Sequence, residues 1–360
     1  MIPVTKPYLP QREAYEAYIK SIWQRGWLTN SGPLVLELEA KLSDYLQIPH
    51  VLLLNNGTIA LQIALKALGI KGDVITTPFS YVATTSSIVW EGCRPVFVDI
   101  DPETLNLDAK KIEAAITPRT EAILATHVYG NPCDVEEIAA IAKKHNLKVI
   151  YDAAHAFGTI YKGKSLYAYG DISTASFHAT KLFHTIEGGA VITENAATSA
   201  KMALLRNFGH TSPVSFDGVG INGKVSEFHA AMGLLVLNDI DQIIAKRAEL
   251  SNRYTEKLVG TALKRPAIFD LANTSYNHAY YPVIFPNEVS LLKVMQNLEK
   301  HEIFTRRYFF PSLNTINYVD NAPCPVSEDF STRVLCLPLY HTLTIDEVDT
   351  IAKLIVQYLD

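Results

Sequence analysis

The sequence predicts an α/β protein with a mostly parallel sheet in a large domain and a smaller α/β domain at its C-terminal end. From residue 51 to residue 193, short apolar runs alternate with helical patterns, as they do in a doubly wound sheet. After a helical pattern that ends at residue 258, the composition changes and a second alternation begins. We therefore assign residues 1–240 to the large domain, with an N-terminal arm, and residues 241–360 to the small domain.

Composition and charge narrow the class of protein. A length of 360 residues accommodates two domains, and 48% hydrophobic with 19% charged residues is usual for a soluble enzyme. The net charge of −5 and the lack of a dense Lys/Arg block disfavour a nucleic-acid partner. We expect no membrane partner, because no run approaches the ~20 apolar residues of a membrane span. The scattered cysteines predict reduced thiols and a cytoplasmic protein.

The predicted elements follow from hydrophobic periodicity and from cap and turn residues. Helices are predicted at 13–24, 34–46, 59–68, 82–90, 108–115, 135–144, 198–207, 227–238, 242–258, 291–301 and 345–359. Strands are predicted at 51–54, 73–77, 94–98, 122–127, 148–151, 173–177, 189–193, 280–285 and 334–337. The stretch 209–226 is predicted to be a loop. Residues 26–33, which include Thr29 and Asn30, are either a helix connector or a loop that faces substrate.

Four side chains directly follow predicted strands: Asn56, Tyr81, His127 and Asp152. Ligands of doubly wound sheets gather at the carboxyl ends of strands. We therefore expect these four residues to share one side of the sheet. Tyr81 would stack on a flat ligand there, although an aromatic residue after a strand also suits the core.

A phosphate site is predicted where the strand at 51–54 turns into the helix at 59–68. The turn contains Gly57 and Thr58, and the free N–H groups at the start of a helix attract an anion. A plain strand-to-helix turn is the alternative, because no nucleotide-type glycine loop is present. Ser176, near the end of another predicted strand, is a second candidate phosphate donor.

Lys181 is the candidate for a covalent link to a cofactor. It lies in the stretch 176–189, which is rich in small, aromatic and hydroxyl residues and contains paired glycines. A lysine forms a Schiff base with pyridoxal phosphate when its pKa falls below the free value of ~10.4. Burial or a neighbouring cation lowers the pKa of a lysine in this way. A surface cation is the alternative, which the hydrophobic neighbours Phe177, Leu182 and Phe183 disfavour.

Asp152 follows an apolar predicted strand. A buried carboxylate at that position needs a partner, because unpaired burial is strongly unfavourable. The protonated ring nitrogen of pyridoxal phosphate is a suitable partner; a helix cap for residues 153–157 is the alternative. His155 would hydrogen-bond the phenolic oxygen of the cofactor or orient Asp152, unless its role is structural.

Several motifs resemble one family. Asn-Gly-Thr-x-Ala-Leu from residue 56, Pro-Phe-Ser-Tyr-Val-Ala-Thr from 78, Asp-Ala-Ala-His-Ala-Phe-Gly from 152 and Ser-Phe-His-x-Thr-Lys with a following Glu-Gly-Gly from 176 occur in this order. At these separations they resemble the DegT/DnrJ/EryC1/StrS sugar aminotransferases, and the resemblance covers nearly the whole chain. It implies the aspartate aminotransferase fold, which is fold type I of the pyridoxal phosphate enzymes.

The resemblance also implies a homodimer with active sites shared between subunits. It implies that Asn222 reaches the cofactor phosphate of the other subunit, although Lys224 stands where an arginine is commoner. Lys181 argues against the relatives that carry histidine at this position and act as dehydratases. Four residues are expected to contact the sugar nucleotide: Thr29, Asn30, His184 and Arg306.

The implied reaction moves an amino group from L-glutamate to the cofactor and then to a nucleotide-linked keto-sugar. The stretches 4–10, 27–30 and 184–189 look most like the branch that forms dTDP-4-amino-4,6-dideoxyglucose from a 4-keto-6-deoxyhexose. Amination of a 3-keto sugar is the alternative. A non-catalytic regulatory protein that binds pyridoxal phosphate is a less favoured one.

Overall fold

A computed structural model of the chain describes residues 1–359. The helices in this range are α1 (Arg12–Arg25), α2 (Pro33–Leu46), α3 (Gly57–Leu68), α4 (Val82–Trp90), α5 (Ile112–Ala115), α6 (Val135–His145), α7 (Ala196–Leu205), α8 (Glu227–Asn238), α9 (Ile240–Leu258), α10 (Glu288–Lys300), α11 (Pro325–Arg333) and α12 (Ile345–Leu359). The strands are β1 (His50–Leu54), β2 (Asp73–Thr76), β3 (Arg94–Phe97), β4 (Thr120–Thr126), β5 (Lys148–Asp152), β6 (Ile160–Tyr161), β7 (Lys164–Ser165), β8 (Ile172–Ser176), β9 (Gly189–Thr193), β10 (His210–Ser212), β11 (Ser215–Phe216), β12 (Thr274–Ser275), β13 (Tyr281–Ile284) and β14 (Val334–Leu337). Asp360, which ends the predicted small domain, lies outside the described residues.

The central sheet has seven strands in the order β1-β9-β8-β5-β4-β2-β3. Only β9 runs antiparallel to its neighbours, β1 and β8, and the other pairings are parallel. The carboxyl ends of the remaining six strands therefore meet at one edge. At that edge the register places Thr126 of β4 beside Asp152 of β5. The predicted α/β class with a mostly parallel sheet is confirmed.

Both faces of the central sheet are covered, as the almost continuous burial of residues along its strands requires. Neighbouring residues on β4, Ile123 and Leu124, belong to two different buried apolar clusters, because successive side chains on a strand point to opposite faces. Helices α2, α6 and α8 supply the first cluster, and α3 supplies much of the second. At the carboxyl edge, Asn56 fixes the start of α3, since its Oδ1 accepts a hydrogen bond of 2.9 Å from the N–H of Ile59.

A separate apolar cluster lies in the C-terminal part of the chain. The antiparallel strands β13 and β14 pack there with α9, α10 and α12. The boundary at residue 240 stays a prediction, although α8 and α9 meet near it at a bend of 60°. Within residues 1–359, no single helix is long and apolar enough to cross a membrane, whereas this bent pair meets the length and composition criteria together.

Several short elements were not predicted. The stretch 209–226 contains the hairpin β10–β11, so its assignment as loop throughout was wrong. Strands β6, β7 and β12 form a small sheet, and α11 begins at Pro325. Strands of two residues show no readable periodicity, because alternation needs about four residues to be recognised.

Candidate active site

A cavity of about 260 Å³ opens at the carboxyl edge of the central sheet. The ends of β5 and β8, the starts of α3 and α4, the loop 177–188 and the segment 306–309 form its walls. Eight of the predicted site residues line it: Gly57, Thr58, Tyr81, Asp152, His155, Ser176, Lys181 and Arg306. The topology thus brings together residues that are far apart in the sequence.

Lys181 lies on the loop between β8 and β9. Its Nζ donates a hydrogen bond of 3.4 Å to the hydroxyl of Tyr280. Burial lowers the pKa of Lys181 below its ordinary 10.5, although the charges of Tyr308 and Asp152 act in the opposite direction. A lowered pKa increases the neutral fraction of the amine, which is the form that attacks a carbonyl carbon.

Asp152 is 6% exposed and accepts hydrogen bonds from neutral donors. Its Oδ2 accepts from Thr84 Oγ1 at 2.6 Å, and its Oδ1 accepts from the N–H of Ala154 at 3.2 Å. Burial raises the pKa of Asp152, and these two donors and the charge of Lys181 oppose the rise. Residues 153–157 form turns instead of a helix, so the helix-cap alternative does not hold.

His155 lines the cavity. Its Nδ1 accepts a hydrogen bond of 3.2 Å from the N–H of Tyr129. Burial lowers the pKa of His155 well below its usual range, so the ring is neutral and the proton resides on Nε2. The ring lies parallel to Phe309 at a centroid distance of 5.6 Å, which fixes its plane. His155 therefore offers an Nε2–H donor among the residues that line the cavity.

The start of α3 packs closely against the end of β8. A Cβ atom on Gly57 would lie 2.8 Å from the Cβ of Ser176, so only glycine permits this approach. The first N–H groups of a helix, here those of Gly57 and Thr58, have no acceptor within the helix. Together with the Ser176 hydroxyl they form a concave set of donors that suits a phosphate group.

Two predicted histidines lie outside the cavity. His184 is 1% exposed; its Nε2–H donates to the carbonyl of Tyr8 at 2.7 Å, and its Nδ1 accepts from the N–H of Ile186 at 3.2 Å. Both ring nitrogens are occupied, so the structure gives His184 no access to a substrate. His127 follows β4 at the expected edge, but it is fully buried and stacks on Tyr151 at 4.5 Å.

The other predicted contacts lie on an open surface. Asn30 lines a second, wide cavity with Asn207 and Lys224, whose Nζ donates to Asn207 Oδ1 at 3.0 Å. Asn222 is exposed and forms an isolated bridge with Asn207. Thr29 is exposed on the preceding loop. The structure therefore does not bring these three predicted residues to the cavity around Lys181.

Several residues of the cavity were not identified from the sequence. Ser80 and Thr126 line it, as do Tyr308 and Phe309 from the C-terminal part of the chain. The hydroxyls follow strands in the same way as Asp152, and that position was the available signal. Tyr308 gives no such signal, because its place in the cavity depends on how the C-terminal part packs.

Comparison with known proteins agrees with this geometry. The sequence profile of the DegT/DnrJ/EryC1/StrS aminotransferase family matches residues 11–356. The chain belongs to this family. Its relatives include the dTDP-4-amino-4,6-dideoxy-D-glucose transaminase of Shigella dysenteriae, with 43% identity over 98% of this chain and 97% of that protein. The Escherichia coli transaminase of the same name is 42% identical over 98% of both chains.

Solved structures show the same fold. DesI, solved in the presence of its TDP-sugar product, superposes with a TM-score of 0.94 at 32% identity, covering 99% of this chain and 93% of DesI. The PLP form of the sugar aminotransferase Spr1654 from Streptococcus pneumoniae gives a TM-score of 0.92 at 26% identity, covering 99% and 98%. These findings confirm the predicted family and its aminotransferase fold.

Proposed function

We propose that this chain transfers the amino group of L-glutamate to a dTDP-linked 4-keto-6-deoxyhexose, with pyridoxal phosphate as cofactor. The products are dTDP-4-amino-4,6-dideoxyglucose and 2-oxoglutarate. The observation that carries the proposal is the presence of the Lys181 amine and the Asp152 carboxylate in one cavity. The choice of sugar is supported by two near full-length relatives named for this product.

The donor set of the cavity fits pyridoxal phosphate. Within the described residues 1–359, the hydrogen-bond donors to Asp152 are neutral groups, which suits a cationic N–H of the cofactor ring as a further donor. The Nε2–H of His155 suits its phenolic oxygen, and the start of α3 beside Ser176 suits its phosphate. When bound, the cofactor supplies a carbonyl group that exchanges amino groups and a ring that accepts electrons.

The residues around the cofactor move and hold protons. Lys181 Nζ, whose neutral form is favoured by burial, takes the proton from Cα of glutamate in the first half-reaction. In the second half-reaction the same amine delivers a proton to the sugar carbon that becomes aminated. Asp152 keeps the ring nitrogen protonated, so the ring withdraws electrons while Lys181 transfers the proton.

Arg306 is the proposed contact for an anionic part of the substrates. It lines the cavity and lies over the ring of Tyr308 at 4.7 Å, and its side chain is exposed. Both substrates are anionic, since glutamate carries carboxylates and the sugar nucleotide carries a diphosphate. A guanidinium group binds either one with paired hydrogen bonds.

A homodimer with shared sites is part of the proposal. Asn222 lies outside the cavity of its own chain, within a segment that exposes large apolar side chains: Phe208, Val214, Phe216, Val219 and Ile221. Exposed apolar side chains grouped in this way favour contact with another protein surface. We propose that a second copy covers them and that Asn222 then reaches the phosphate end of the partner's cavity. The buried free cysteines support a cytoplasmic location.

Product identification tests the proposal directly. The enzyme is incubated with pyridoxal phosphate, glutamate and, separately, dTDP-linked 3-keto and 4-keto 6-deoxyhexoses, and the products are analysed by NMR. We expect an equatorial amine at C4 of the glucose-configured sugar. An amine at C3 would establish the alternative branch, and a deoxygenated sugar would indicate a dehydratase. If glutamate alone leaves the absorbance of the bound cofactor unchanged, the chain is not an aminotransferase.

A further inference from the structure

A row of buried hydroxyl groups leads from the centre of the sheet edge to Asp152. Thr126, at the end of β4, has its Oγ1 3.0 Å from Ser80 Oγ. Ser80 Oγ is 2.7 Å from Thr84 Oγ1, which is 2.6 Å from Asp152 Oδ2. The three hydroxyl residues are at most 2% exposed. Residues from two strand ends, from the loop before α4 and from the first turn of α4 thus form one continuous hydrogen-bonded row.

The carboxylate determines the direction of every hydrogen bond in this row. An ionised Asp152 only accepts, so the proton of the Thr84 hydroxyl must point to Oδ2. Because Thr84 Oγ1 donates its proton to Oδ2, it can only accept a hydrogen bond from Ser80. Ser80 Oγ in turn accepts from Thr126. All three hydroxyl dipoles consequently point towards the carboxylate, and hydrogen bonds aligned in this way strengthen one another.

We propose that Thr84 is a positioning residue, and that Ser80 and Thr126 complete a one-way row of donors that holds the Asp152 carboxylate ready for the ring nitrogen of the cofactor. The inference rests on the proposed role of Asp152 and deepens it. Without Thr84, Oδ2 would lose its donor inside the protein. The side chain would then be free to rotate, and its negative charge would be less stable in the buried site.

The charged groups around Asp152 are compatible with a positioning role for Thr84. Burial raises the pKa of this carboxyl group, whereas the Thr84 and Ala154 donors lower it. The ionisable side chains that act on it are Lys181, Tyr167 and Tyr280. Burial raises the pKa of both tyrosines, so they stay neutral at ordinary pH. Within residues 1–359, no arginine is among the groups that shift the pKa of Asp152. Neutral hydroxyl donors therefore help to stabilise its negative charge.

Thr85 offers a matched control for Thr84. Both threonines are 0% exposed and lie in consecutive positions of α4, but Thr85 Oγ1 has no hydrogen-bond partner within residues 1–359. Replacing either by valine keeps the size of the side chain and removes one hydroxyl. A general effect of altering α4 would appear in both variants, whereas an effect through Asp152 would appear only in Thr84→Val.

The first experiment measures binding of pyridoxal phosphate to the apoprotein by fluorescence titration. We expect Thr84→Val to weaken binding about tenfold or more, because a hydrogen bond to a charged group is lost. Thr85→Val should stay within about twofold of wild type, and Thr84→Ser should restore most of the affinity. Ser80→Ala and Thr126→Val should have progressively smaller effects. Equal effects of the two valine variants, or wild-type binding by Thr84→Val, would overturn the proposal.

The second experiment reads the ionisation of Asp152 in the apoprotein without any cofactor. Loss of the Thr84 donor raises the folded-state pKa of Asp152 further above its unfolded value. The stability linked to a raised carboxyl pKa is present at low pH and is lost as the pH rises through the folded-state value. The Tm deficit of Thr84→Val should therefore be larger near about pH 8 than near about pH 5, while that of Thr85→Val should be the same at both. A pH-independent deficit in Thr84→Val would contradict the proposal.

The variants also separate this inference from the proposed function. Asp152→Asn should weaken cofactor binding at least as much as Thr84→Val does. If it does not, the proposed role of Asp152 is wrong, and the positioning role of Thr84 is wrong as well. If the binding differences stand and glutamate converts the bound cofactor, but neither keto-sugar is aminated, the proposed sugar substrate is wrong and the positioning role of Thr84 stands.

Discussion

Two regions that were both predicted to bind the cofactor differ sharply in construction. Around Asp152, the groups are buried, hydrogen-bonded to one another and held by strand ends of a single chain. Around Asn222, the segment 208–224 is largely exposed and carries apolar side chains such as Val214 at 88% exposure. The first region is complete within one chain, whereas the second is open on a surface.

The difference indicates which part of the site is preorganised. In the proposed site, Asp152 would hold the ring nitrogen of the cofactor, and this carboxylate is fixed by the end of the sheet. The phosphate would be bound by donors at the start of α3 and, in the proposed dimer, by Asn222 of the other chain.

Lys181→Ala should reduce turnover by about 10³-fold or more, because it removes the amine that is proposed to move the proton. Amino transfer from glutamate is measured with saturating cofactor. Lys201→Ala, an exposed lysine on α7, is the control and should be fully active. Near-normal turnover in Lys181→Ala would refute the role given to this amine.

Asp152→Asn should slow transamination and weaken cofactor retention, each by about ten- to hundredfold, since a charged hydrogen bond is lost. The variant keeps the size of the side chain, so a change in folding is not expected to explain the loss. Dialysis followed by absorbance measures retention, and single-turnover kinetics with glutamate measures the rate. Unchanged retention would return Asp152 to a purely structural role.

A mixing experiment examines the exposed region around Asn222. Asn222→Asp should lower activity about tenfold or more, because the new carboxylate would repel the cofactor phosphate. Heterodimers that combine an Asn222→Asp chain with a Lys181→Ala chain are isolated with two affinity tags. If sites are shared, one site per dimer is intact and about half of the wild-type activity returns. No recovery would show that each chain uses its own Asn222.

The smallest expected effect concerns two adjacent arginines. Arg306 faces the cavity, whereas Arg307 is held by Glu288 at 2.7 Å and by the carbonyl of Thr332 at 3.0 Å. Arg306→Gln should raise the KM of glutamate or of the sugar nucleotide about tenfold with little change in Tm. Arg307→Gln should lower Tm and leave KM unchanged. The reverse pattern would exclude Arg306 as a substrate contact.

Much of the sheet edge could be predicted from sequence. Asp152 and Gly57 follow strands whose apolar character is plain, and parallel strands bring their carboxyl ends together. His184 could not be placed, because the sequence does not show that Tyr8 from the N-terminal arm would occupy its ring nitrogen. The sequence gives no signal for Thr84 for a related reason. A hydroxyl inside a helix is ordinary until the structure places a carboxylate 2.6 Å away.

Periodicity and ordered motifs, which are local properties of the chain, were enough to predict the α/β class, the family and the candidates Lys181 and Asp152. The folded structure was needed to find which hydroxyls contact Asp152, that Arg306 and Tyr308 line the same cavity, and that Asn222 lies outside it. These facts depend on contacts between segments distant in sequence. Such contacts arise from packing, and the periodicity of a single segment does not predict them.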